Sequence, residues 1–501
     1  MRYFLSALLL ALSWPAHADL VLPIRINYTA DFFNLASVPS QVVSSSTFTV
    51  QAIAENINTA APSSAPLITD ASGATYTMAA TTLTYPGTAT SSVSVWSYAV
   101  TLLADQLNTI TVRSGINTLS IPVTHKTALG TVTVTNSTDL VTAAQAALVA
   151  PGATNTNIIV IDYDEPDLGT VLNNFGNGIT NVRTTWLTLR PGTGRSVTIA
   201  TNGTDALFRT KADWLNYDGI TYGSDTSDGS TGQIYVESTH NIWLSNFTQR
   251  GKYKYTWAKI TPMTAAWAAY VRWSVGDTSK IYFTDCAWDG TASNAAVAGA
   301  TLARDLTFNS HRGDIVNPGT NNNVFLNAYA TDIFPARNAA DTDYIHNDGV
   351  QTAGTITNFS YKGLKITSPN IAADIQPFLL DRASTPNYSL LLIDTINITG
   401  ASSTLNAQMA GVIANSRISN MTFTAQTQTV RQDFVDPNGA FTPTNVRVQD
   451  FSVGTVVHYP SGGGSTVWNM ASCADDNDCS SEMNAVPALS GATFARMRVN
   501  Q

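Results

Sequence analysis

Through most of the last 350 or so residues, short β-branched and aromatic runs recur in which an Asn or Asp is followed by a large apolar residue. No other feature restricts the fold as much. Asn241 to Phe247, Lys280 to Cys286, Asn358 to Ile366, Leu392 to Ile398 and Arg417 to Phe423 share this form, at intervals of roughly 25 to 45 residues. Such spacing suits a chain that coils so that equivalent strands stack while the turns between them accept insertions. Inward positions then form an apolar ladder, and alternate positions face outward. A long groove of outward side chains fits a chain-like ligand.

The residues ahead of the repeats support that reading. Ser137-Thr138-Asp139 reads as an N-cap, and Leu140 to Leu148 carries apolar residues at helical spacing before Pro151-Gly152. A short amphipathic helix there would cover the open first coil, a task it lacks in an antiparallel sandwich. Before it, Thr47 to Ala52, Val93 to Thr101 and Thr109 to Val112 alternate between Pro-, Gly-, Ser- and Asn-rich breaks, which predicts a β-sandwich of the Ig-like kind. The expected class is all-β. Its expected divisions are a leader at 1–18, the β-sandwich at 19–126, a right-handed parallel β-helix at 127–465 and a C-terminal cap at 466–501.

Met1-Arg2, the apolar run Phe4 to Leu12 and Ala16-His17-Ala18 have the form of a secretory signal peptide, cut near Ala18. A secreted or periplasmic protein is therefore expected. No later run is long enough to span a bilayer as a helix, and a net charge of −9 without a basic stripe argues against nucleic acid. Cys473 and Cys479 are spaced for a small disulfide loop, which leaves Cys286 as a buried thiol.

This order of elements resembles the secreted pectin-lyase-like β-helix proteins, a group of pectate and alginate lyases, polygalacturonase-type hydrolases, epimerases and phage tailspikes. The resemblance spans about residues 127 to 465 and implies a polysaccharide substrate. Asn241 to Asn246 is similar to the pectate lyase strand that ends in an Asp-His pair, with Ser245 and Asn246 in those places. His346-Asn347-Asp348-Gly349-Val350-Gln351 is similar to the Asn-Thr-Asp-Gly-x-Asp strand of polygalacturonases. Asp348 stands at that family's catalytic Asp, while His346 and Gln351 replace the Asn and the last Asp.

Chemistry concentrates in that stretch. Although 12% of residues are charged, Asp332, Arg337, Asp341, Asp343, His346, Asp348 and Gln351 crowd into twenty positions. On a strand His346 and Asp348 share a face, and a kink near Gly349 would turn Val350 inward and bring Gln351 to the ligand side. A carboxylate beside an imidazole allows acid-base work near neutral pH. For β-elimination on a uronate, His346 is the candidate base, Arg337 or Arg382 the carboxylate neutraliser, and Lys362 or Tyr361 the proton donor. For hydrolysis, Asp348 and Asp381 are the candidate pair. His311-Arg312-Gly313-Asp314 repeats the theme and would widen the subsite if it stacks beneath. Asp341 and Asp343 are turn caps or weak Ca²⁺ ligands, and no other cofactor is implied. The expected function is a monomeric, secreted polysaccharide lyase acting on an anionic chain. A glycoside hydrolase and a non-catalytic glycan-binding adhesin are the alternatives, and the Trp and Tyr residues around Trp243 and Trp288 are candidates for stacking on sugar.

Overall fold

A computed structural model describes most of residues 31–469. Residues 1–30, 470–501 and a number of segments between, the longest at 252–270 and 426–440, lie outside the described residues. The chain is all-β, dominated by one 18-stranded sheet whose strands run parallel over most of its length.

The stack begins at Gly130. Gly130–Val134 pairs in parallel with Thr156–Ile161, and the helix Ser137–Val149 lies between them in the chain. Its N-cap is Asn136, just ahead of the predicted Ser137-Thr138-Asp139. The Asn136 side chain accepts from the Asp139 amide at 2.9 Å, satisfying a first-turn donor that has no partner within the helix. Leu140, Ala144, Ala147 and Leu148 are buried against Ile159 and Ile161, so the helix closes the end of the core.

From there one register runs the length of the stack. Ile159, Leu189, Tyr217, Leu244, Phe283, Ala303, Phe325, Tyr361, Ile393 and Ile418 are successive partners. All are buried in one core. Because alternate residues point to opposite faces, the neighbours of this row face outward: Ser245, Thr284, Arg304, Leu326, Lys362, Asp394 and Ser419 in one line.

The repeated Asn and Asp mark corners. Gly219, Asn246, Asp285, Asp305, Asn327, Gly363, Thr395 and Asn420 all have φ between 49° and 76°. Asn, Asp and Gly enter this left-handed region at least cost, and the bend re-aims the strand so that a large apolar residue again enters the core. A second corner precedes five of these by five residues, at Trp214, Asn322, Asn358, Leu390 and Asn415. Shorter parallel strands form a further wall: Phe208–Thr210, Ile234–Val236 and Val271–Trp273, then Ala292–Ala298 with Arg312–Asn317, then Asn347–Asp348 and Gln351–Thr352 with Ile375–Leu380 and Leu405–Met409.

Residues 31–125 form two further sheets, one of four strands and one of five, around a separate core that includes Val50, Ala52, Ala54, Ile110, Val112, Ile121 and Val123. Strand alternation decides what this unit does next. On Thr47–Asn56, Val50, Ala52 and Ala54 face that core, while Thr49, Gln51, Ile53 and Glu55 face the stack. Phe32, Ile53, Val93 and Val95 pack on Trp186, Tyr282, Leu302, Val324, Leu326 and Leu392, all outward-facing residues of the stack. The N-terminal sheets therefore cover the outward row.

Candidate functional site

The predicted cluster lies on the wall of short strands. Arg312–Asn317 stands beside the strands around Gly349, joined by a parallel bridge between Val316 and Val350 and a 3.1 Å bond from the Val316 amide to the Gly349 carbonyl. The His311 to Asp314 segment thus stacks directly against the Asp348 segment. Asp348 pairs with Gln376, and Asp314 on the neighbouring strand is buried rather than open to a ligand. Gly349 interrupts the strand, and Val350 is completely buried in the core, as the predicted kink requires. Arg337 belongs to a small antiparallel hairpin in which it pairs with Tyr344, two residues ahead of His346. His346, Asp332, Asp341, Asp343, Asp381, Arg382, Cys473 and Cys479 lie outside the described residues, and the side chains of Arg312, Arg337, Asp348 and Gln351 lie outside them as well.

Three predicted site residues are placed elsewhere. His311 is fully buried rather than facing a ligand. Its Nε2 donates to the Asp314 carbonyl at 3.1 Å, and because a carbonyl only accepts, Nδ1 is the acceptor for the Thr291 hydroxyl at 2.8 Å. Burial pushes its pKa down to about 4, against the pull of the Asp314 carbonyl, so the ring is neutral at neutral pH. Tyr361 is an inward rung, enclosed between Phe325 and Phe359.

Lys362 faces outward, but the N-terminal sheets seal it. Its ammonium meets Glu55 and lies 3.4 Å from Asp394, and Arg417 Nη1 donates to the other Glu55 oxygen at 3.0 Å. All four side chains are at least 96% buried. Burial opposes the Lys362 charge, yet Glu55 and Asp394 outweigh it and hold the ammonium above its ordinary value. Burial likewise opposes ionisation of Asp394, but Lys362 and Arg417 hold its carboxyl below the usual range. Glu55 differs: burial, against the pull of Lys362 and Arg417, holds its carboxyl above the usual range, and Arg417 Nε and Nη2 are buried with no hydrogen-bond partner among the described residues. A lysine so enclosed cannot donate a proton to a glycan on the surface.

The same interface opens, farther along, into a cleft of about 300 Å³. Thr49 and Gln51 of the N-terminal strand face Trp243, Thr284, Asp285, Arg304 and Asp305 of the stack across it. Trp243 is fixed edge-on to Trp186 and by a 2.9 Å bond from Nε1 to the Thr284 hydroxyl. Arg304 is committed: Nε bonds Asp305 at 2.6 Å, while Nη1 bonds the Ala36 carbonyl and the Gln51 side chain. Asp305 also accepts from Asn327 at 2.5 Å. The Asp285 carboxylate, exposed at the mouth, accepts no hydrogen bond among the described residues. Burial by the cleft walls, then the nearby Asp305, raise its pKa.

Sequence reasoning missed this cleft. Its signals were faint ones: an Asp at a corner where other rungs carry Asn, the Arg304-Asp305 doublet, and Trp243 among the candidate stacking aromatics. Trp288, grouped with Trp243, is instead a core residue stacked on Phe308. Cys286 is a free, buried thiol as predicted, and burial pushes its pKa up to about 12. Among the described residues no three metal-ligating side chains come together, and no helix is long and apolar enough to cross a membrane. Comparison with protein-family models, curated proteins and solved structures finds no match for this chain.

Proposed function

We propose that the chain is an exported right-handed parallel β-helix of the pectin-lyase-like kind, with an Ig-like N-terminal module, that cleaves a uronate-containing polysaccharide by β-elimination. The supporting observation is the register on the wall of short strands. It stacks the Arg312–Asn317 strand against the Asp348 strand and leads the Arg337 hairpin into His346, on a wall other than the one joined to the N-terminal sheets. In this reading His346 removes the C5 proton, Asp348 orients the imidazole, and Arg337 with Arg382 neutralises the substrate carboxyl so that the C5 carbanion is stabilised. The C4–O bond then breaks as the C4–C5 double bond forms. With Lys362 and Tyr361 enclosed elsewhere, the leaving oxygen takes its proton from the same wall, from the His346 imidazolium that has just formed.

A second reading is hydrolysis by Asp348 and Asp381, because the Asp348 strand pairs with Ile375–Leu380, the strand that leads into Asp381. Products separate the two. Alginate, pectate, glucuronan and glycosaminoglycans incubated with the full chain should yield the ultraviolet absorbance of an unsaturated uronate, abolished in His346→Ala/Asp348→Asn. New reducing ends without that absorbance support hydrolysis. Retention of an unaltered glycan supports a binding protein, and undiminished turnover by the folded double variant removes the site.

A further inference from the structure

At the corners or one residue before them, carboxylates are bridged by the corner amide of the next rung. Asp218 accepts from Asn246 at 2.6 Å, Asp305 from Asn327 at 2.5 Å and Asp394 from Asn420 at 2.6 Å. At Asp285 the bridge is interrupted, because the next corner is Asp305, a second carboxylate with no N–H to offer. The interruption opens into the cleft. An exposed carboxylate with unused acceptor capacity therefore sits at the mouth of a cavity lined by Trp243, Thr49 and Gln51.

We propose that the cleft between the N-terminal sheets and the stack binds a neutral sugar of mono- to disaccharide size, with Asp285 accepting hydrogen bonds from its hydroxyls. The volume, about 300 Å³, sits at the small end of ligand sites, and domain boundaries are where such sites concentrate. An anionic sugar is disfavoured. The cleft holds two carboxylates, and its guanidinium is already paired with Asp305 and tied to the N-terminal sheets. A bare divalent cation is disfavoured too, since no third ligating side chain completes a set among the described residues. Ser37, Gln41, Thr49 and Gln51 supply both donors and acceptors, which matches hydroxyls, and Trp243 supplies the apolar surface that a sugar ring covers. This site is independent of the reaction proposed above and selects an uncharged ligand where that reaction takes an anionic one.

Asp285→Asn is the test substitution, because Asn holds the same left-handed corner at positions 246, 327 and 420. Titration calorimetry on the full chain with cellobiose, maltose, lactose and digalacturonate should detect binding of at least one neutral disaccharide and none of digalacturonate. Asp285→Asn should weaken that binding about tenfold, the scale of losing a charge-assisted hydrogen bond. Its melting temperature should not fall, since the side-chain amide introduced at that corner can donate to Asp305 and restore the bridge. Trp243→Phe, which keeps an aromatic wall, should shift affinity less. No binding of any neutral disaccharide, equal binding of digalacturonate, or unchanged affinity in Asp285→Asn overturns the proposal. So does loss of binding in His346→Ala/Asp348→Asn, which would place the sugar on the other wall.

Discussion

One strand of the N-terminal sheets, Thr47–Asn56, crosses the outward row of the stack, and its two ends meet very different surroundings. At one end Glu55 is sealed against Lys362, Asp394 and Arg417, with two charges of each sign and no exposed face. At the other, Thr49 and Gln51 border an open cleft where two carboxylates face a single guanidinium. Lys362 and Asp394 at the first end and Thr284 and Arg304 at the second stand on one outward line of register-matched positions. The contrast shows that an outward polar position has no fixed role: covering it makes it a structural charge, and leaving a gap over it makes it a binding group.

The largest effect should come from breaking the sealed end. Glu55→Ala strands Lys362 and Arg417 without their shared partner, and an uncompensated buried charge costs about 3–5 kcal/mol, read from denaturant unfolding. Replacing Glu55 with Leu together with Lys362 by Met removes one charge of each sign and leaves Asp394 beside Arg417, so most of that loss should be recovered. If the double variant is no better than the single one, the network is not acting as a balanced pair of pairs.

The pH dependence sharpens the same contrast. His311 has a folded pKa of about 4, below its ordinary 6.5, so the unfolded chain binds more protons between these values and stability falls as pH drops through that window. The shift corresponds to about 3 kcal/mol at most. His311→Phe should flatten the unfolding curve there. Asp394, held below 3.8, contributes stability above that pH and loses it as pH falls through its lowered folded value. Lys362, held above 10.5, contributes fully below that pH and loses it as pH rises past its raised value. The Glu55→Leu/Lys362→Met double variant, compared with the native chain, should lack this alkaline loss.

Between the two ends, Gly363 has φ 76°, and a Cβ added there would lie 3.0 Å from Val93 Cγ1. Gly363→Ala should cost about 1–3 kcal/mol through backbone strain and the displaced Val93. The smallest effect belongs to the open end. Asp285→Asn should raise stability by a few tenths to about 1 kcal/mol, by relieving repulsion and adding a hydrogen bond. A loss of stability there would mean that Asp285 serves the fold rather than a ligand.

Much of the stack was legible because its signals are local. Period-two alternation, the Asn or Asp at each corner and the amphipathic run at Leu140 to Leu148 depend on residues a few positions apart, and the kink at Gly349 was readable from Val350 alone. Lys362 and Tyr361 were misread for a different reason. They adjoin on one strand, so one enters the core and the other faces out, and nothing near them in sequence announces the cover over Lys362. Ile53, where polar residues on one face of its strand give way to an apolar one, hinted that this face is buried.

By itself the sequence determined the kind of strand, the place of the corners, the capping helix and the concentration of reactive residues around His346. Only the tertiary structure decided which outward residues are sealed and which remain open, because that depends on docking two segments far apart in the chain. Glu55 meets Arg417 across 362 positions. No local pattern encodes such a meeting, and burial of the surrounding apolar surface, not the charges, brings the two together.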